Sequence, residues 1–177
     1  MKLLSWLGLD RPQTPDTTPL RDVIDALDRL EPDRAQYLAR FAYLLGRVAH
    51  ADRHVSAEET VAMERLVREE GQLPPDVATL VVSLARSSNL LFGGTADFQV
   101  AQEFAEHAAY EEKVALARCL FAVAATDAAI SMAEETEIHR ILNQLRIEPR
   151  DLTALRLQHR KFLPGLSVLL LLAGRLA

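Results

Sequence analysis

The chain predicts an all-α fold: a compact bundle of about eight helices with an internal pseudo-twofold repeat. Three observations lead there. Apolar residues recur at spacings of three and four almost everywhere after residue 19, and no alternating run of β-branched residues marks a strand. The 7 glycines and 8 prolines among 177 residues fall below the roughly 12% that average usage supplies, which favours long uninterrupted elements. A segment of about twenty residues also occurs twice, with its turn and helix-start signals intact.

Each element follows from local signals. Residues 19–30 form the first helix, with Pro19 at its first position and Val23, Ile24, Leu27 and Leu30 on one stripe. Pro32 opens the next, over 33–52, where Tyr37, Phe41, Leu44, Leu45 and Val48 face inward and Arg34, Arg40 and Arg47 are placed on the polar side; this helix is expected to be central. A third helix starts at Ser56 and stops near Gly71, a good C-terminal cap, and Pro74 and Pro75 start a fourth through Val77, Leu80, Val81 and Leu84. Residues 87–96 are the longest loop, and the Gly93–Gly94 pair in it has no surrounding phosphate-binding pattern. Helices follow over about 97–107, 109–127, 131–145 and 149–161.

The domain organisation is an arm and linker over residues 1–18, a helical domain over 19–162 and an apolar tail over 163–177. Residues 1–9, MKLLSWLGL, are too short for a signal peptide and lack a small-residue cleavage site. They fit either a segment docked on its own domain or a short amphipathic anchor at a membrane surface. The tail holds LSVLLLLA, too short for the roughly 20 residues that span a bilayer. Completing the core, covering a partner's groove and making a homo-oligomer contact are the three roles open to it.

Charge and cysteine content narrow the function. Net charge is −5, from 20 basic and 25 acidic residues interleaved along the chain, which argues against a nucleic-acid-binding face. The single cysteine, Cys119, lies within an apolar run, so it reads as a buried small hydrophobe and excludes an intramolecular disulfide or a thiolate cluster.

The repeat carries the sharpest signal. An offset of 75 lays residues 48–67, VAHADRHVSAEETVAMERLV, on residues 123–142, VAATDAAISMAEETEIHRIL. Val48, Ala49, Asp52, Ser56, Glu59 and Arg65 fall on Val123, Ala124, Asp127, Ser131, Glu134 and Arg140. Each copy reads as an apolar helix ending at an Asp, a turn closing on Val55 or Ile130, and a second helix opening at Ser. Ser56 with Glu59 and Ser131 with Glu134 are capping boxes, and Val55 and Ile130 stand where a hydrophobic staple begins. Asp52 and Asp127 sit at helix C-termini, where the dipole disfavours a carboxylate by about 0.3–1 kcal/mol. Two readings offset that cost. Each Asp bonds backbone amides of its own turn, or the two Asp and two Glu converge into an oxygen-rich cluster that holds a cation.

The pattern A-D-x-x-V/I-S-x-x-E after an apolar helix, present in residues 43–67 and again in 111–142, resembles the tellurite resistance TerB-like family. The likeness extends over about residues 20–160. Where the family's pattern usually has Gly directly after each Asp, Arg53 and Ala128 stand here, and neither gives the backbone freedom that Gly would at a crowded turn. The resemblance implies a compact helical bundle with an acidic metal site at Asp52, Glu59, Asp127 and Glu134. It also implies a bacterial cytoplasmic protein of a stress or tellurite response that works near the inner face of the membrane with protein partners. Oxygen ligands favour calcium or magnesium.

Other chemistry is thinly supported. His50, Asp52 and His54 suggest zinc, but the second copy has Ala125 and Ala129 in place of the histidines. His107, His139 and His159 are expected to be isolated and solvated. Glu135 lies four residues before His139, without the second such pair that a di-iron bundle needs. No nucleophile elbow or HExxH pair occurs, so an enzyme is not expected. The expectation is a binding or adaptor module with a divalent-cation site. The alternative is a metal-free helical scaffold whose apolar termini recruit a protein partner or a membrane.

Overall fold

The structure is a computed structural model that describes residues 25–51, 57–87, 95–127 and 129–163, without the side chains of 57–59, 87, 95–97 and 127. After a helical turn at 25–27, seven α-helices are present among the described residues: α1 (Pro32–Ala49), α2 (Ala57–Glu70), α3 (Pro75–Ser87), α4 (Thr95–His107), α5 (Tyr110–Ala124), α6 (Met132–Leu145) and α7 (Pro149–Gln158). Two 3-10 turns follow α5 and α7, at Ala125–Asp127 and Arg160–Phe162. The described residues contain no strand. The all-α bundle therefore stands as expected, prolines open α1 and α3 as the sequence indicates, and Pro149 likewise opens α7.

The offset of 75 reappears in the backbone. It carries the last residue of α1, Ala49, onto the last residue of α5, Ala124, and both ends of α2, Ala57 and Glu70, onto both ends of α6, Met132 and Leu145. The core repeats as well: buried Phe41, Leu44, Leu45 and Val48 of α1 correspond to buried Leu116, Cys119, Leu120 and Val123 of α5. Met63 and Val67 of α2 likewise correspond to Ile138 and Leu142 of α6, all buried. The copies pack crosswise. α1 lies against α5 and α6, α5 lies against α2 and α6, and α4, between the copies in sequence, covers α1 and α6.

α1 is central, and its surroundings correct one expectation. Arg40 and Arg47 do not lie on a solvated face: Arg40 is 5% exposed, and the Arg47 side chain is 7% exposed. A helix enclosed by α3, α4, α5 and α6 has no broad polar side left, so both guanidiniums are taken up by carboxylates of neighbouring helices. Arg40 pairs with Glu103 of α4 at 3.0 Å, and Arg47 pairs with Glu137 of α6 at 2.5 Å. The second pair joins the first hairpin to the second.

Gly71 ends α2 for a steric reason. Its amide donates to the Val67 carbonyl at 3.1 Å, and a Cβ at this position would lie 2.4 Å from that carbonyl oxygen and 3.2 Å from Cys119 Sγ. The left-handed residue is the next one, Gln72, with φ 52°. In the second copy the left-handed C-cap is Arg146, the counterpart of Gly71 at the offset of 75.

Candidate functional site

The two repeat turns start from the same local geometry. α1 does not reach Asp52; it stops at Ala49, where the His50 amide donates to the Gly46 carbonyl and the Ala51 amide to the Val48 carbonyl. α5 stops at the equivalent Ala124, and the chain tightens into the 3-10 turn Ala125–Asp127, with Thr126 Oγ1 donating to the Val123 carbonyl at 2.6 Å. Tightening from i→i+4 to i→i+3 bonds is the usual way for a helix end to satisfy its last carbonyls. Asp127 therefore belongs to a 3-10 turn just beyond α5, where its sequence reading had a continuous α-helix.

Of the four expected ligands, Glu134 is the one whose side chain is described. It is 8% exposed, its Oε2 accepts from the Ser131 amide at 2.8 Å, and its own amide donates to Ser131 Oγ at 3.2 Å. That is the capping box read from the sequence. Asp52 lies outside the described residues; Glu59 sits in the first turn of α2 and Asp127 in its 3-10 turn, with side chains outside the description. Among the described residues, no group of three His, Cys, Asp or Glu side chains is assembled to hold a metal. Ser56, His54 and Val55 also lie outside the described residues.

Ile130 anchors the second turn in a way that differs from a staple. The staple partner position in α6 is Glu135, a charged residue, so no apolar pair forms across the cap. Ile130 is instead buried in the core, and its amide donates to the Phe162 carbonyl at 2.7 Å, tying the turn to the 3-10 segment after α7.

His139 and His159 are not the isolated solvated groups expected, whereas His107 is exposed. Arg156 of α7 donates to His139 Nε2 at 2.5 Å and to Glu135 Oε1 at 2.7 Å, so the Glu135–His139 pair clips α7 to α6. His159 stacks on Phe121 with ring centroids 5.5 Å apart, and its Nδ1 bonds the Leu155 carbonyl. His107 bonds the Glu103 carbonyl through Nδ1 at 2.8 Å. His50 Nε2 bonds the Arg86 carbonyl at 3.2 Å, which ties the first repeat turn to the end of α3. Their spacings gave no hint of these partners, because each partner lies on another helix or is a backbone carbonyl.

Cys119 is fully buried, and burial pushes its thiol well above the ordinary range. It fills the place that Leu44 fills in the first copy, which is the apolar role read from its surroundings. Tyr37 is likewise raised, by burial and then by the nearby Glu112 carboxylate, with Arg34 acting in the opposite direction.

These features define a class: an all-α bundle made of a duplicated helix–turn–helix, packed crosswise, with one acid-bearing turn per copy. The family model of tellurite resistance protein TerB matches residues 38–157, which takes in both copies and more than half of the chain. The chain belongs to the TerB family. No curated protein and no solved structure matches it at a significant level. No described helix is long and apolar enough to cross a membrane.

Proposed function

We propose that the chain is a binding or adaptor module of a tellurite-resistance-type stress response, which holds a divalent cation between its two repeat turns through Asp52, Glu59, Asp127 and Glu134. The observation that carries this reading is the crosswise packing of two copies whose helix ends coincide at the same offset. Each turn also begins where a helix presents its carbonyl end, so added carboxylates there call for a compensating positive charge. Calcium or magnesium suits an all-oxygen donor set, and the lone cysteine is buried. The module acts in the cytoplasm, at the inner face of the membrane, through a protein partner.

Calorimetric titration of calcium, magnesium and zinc tests the cation. The wild type is expected to give saturable heat with calcium or magnesium, and the Asp52→Asn, Asp127→Asn double variant is expected to give none. Equal heats from both proteins would remove the cation from the account.

One observation favours a second reading, a metal-free scaffold. Glu134 already satisfies the Ser131 amide, so this acid has a structural duty that needs no ion. Under that reading, Glu134→Gln lowers stability whether or not calcium is present, whereas a ligand role makes the loss larger with calcium than without it.

A further inference from the structure

A second candidate site lies away from the repeat turns, where the N-terminal half of α1 meets the end of α4 and the start of α5. It is a cleft of about 370 Å³, within the range of small-ligand sites. Tyr37 supplies its accessible apolar lining and is backed by the fully buried Phe104, with ring centroids 5.5 Å apart and stacked. Arg34 and Arg40, both on α1, and His107 on α4 supply its basic groups. The Arg34 guanidinium lies 5.0 Å over the Tyr37 ring, and Arg34 is otherwise exposed.

Arg40 is the unusual member. Its side chain is 6% exposed, and it holds Glu103 Oε2 at 3.0 Å and Gln36 Oε1 at 3.2 Å. A buried ion pair is no better for stability than well-packed apolar residues of the same volume, so a buried arginine beside a cleft asks for a further reason. Glu103 is not among the residues that line the cleft, whereas Arg40 is. The cleft's acids are Asp33, at its exposed edge, and Glu112, whose Oε2 accepts the Ala109 amide at 2.9 Å as part of the α5 cap. Basic groups thus border an aromatic wall, and one of the two acids is already engaged.

We propose that this cleft binds a small aromatic carboxylate, with its carboxylate toward Arg34 and Arg40 and its ring against Tyr37. This site is separate from the cation proposal and stands or falls without it. Binding at α1, α4 and α5 would bear on the joint between the two copies, since α4 covers both α1 and α6.

Titration of the full chain with benzoate, followed by amide NMR, tests the proposal. Benzamide serves as the uncharged counterpart and inorganic phosphate as an anion without a ring. Benzoate is expected to give saturable shifts confined to residues 33–40 and 104–112, with weaker binding of both controls. Arg34→Gln, an exposed change that leaves the core intact, is expected to weaken benzoate by about fivefold, the upper end for an exposed ion pair. Arg68→Gln, an exposed arginine on α2, is expected to leave it unchanged. Absence of saturable shifts, equal binding of benzamide or phosphate, or equal behaviour of the two arginine variants would each overturn the proposal.

Discussion

Cys119 shows how one side chain reports on the whole core. It is fully buried, and its thiol is raised by desolvation before any charge effect, with Glu70 raising and Arg118 lowering it. The unfolded thiol ionises near pH 8.5, so stability is complete below that value and falls as pH rises toward the higher folded value. We expect the wild type to lose about 1.4 kcal/mol per pH unit between roughly pH 9 and 10. Cys119→Ala is expected to flatten that slope in urea melts while lowering stability at neutral pH. A thiol reagent should label the native protein only at the rate of unfolding. The same sign holds for Tyr37 at higher pH, since burial and Glu112 raise it too.

At the scale of elements, the joint between copies is polar as well as apolar. Arg47 of α1 and Glu137 of α6 are paired with side chains 7% and 14% exposed, and Glu137 also accepts from Arg140 at 2.9 Å. Removing one partner of a pair this enclosed leaves a charge in a low-dielectric setting and costs about 3–5 kcal/mol. Glu137→Ala is therefore expected to lower stability by about that much in urea unfolding. The exposed pair Arg68–Glu69, at 49% and 53%, is expected to contribute less than about 1 kcal/mol in the same assay. A loss of similar size at both pairs would refute the assignment of Arg47 and Glu137 as a joint between hairpins.

At the scale of the molecule, what was legible in the sequence and what was not divides by distance along the chain. The order of the helices, the proline starts and the Ser131–Glu134 cap depend on residues within one turn of each other and are readable from spacing alone, whereas α1 and α5 each stop three residues short of the expected end because the chain tightens there. The duplicated core is readable too, because the offset that aligns the motifs also aligns Leu44 with Cys119 and Met63 with Ile138. The burial of Arg40 and Arg47 was not readable, since their carboxylates lie 63 and 90 residues away and the helical stripe alone placed them outward. The clip of Arg156 on Glu135 and His139, and the cleft lined by three separate helices, are long-range in the same sense. The acidic turns fall between these cases: the motif names the residues, and the side chains of Asp52, Glu59 and Asp127 lie outside the described residues.

The proposed function rests on one cation site shared by the two repeat turns. Its most direct test is a calcium titration of the full chain followed by amide NMR at residues 51–59 and 126–134. The account predicts that both turns shift together and saturate with a single affinity. Shifts confined to one turn, separate affinities for the two, or no response at either would contradict it.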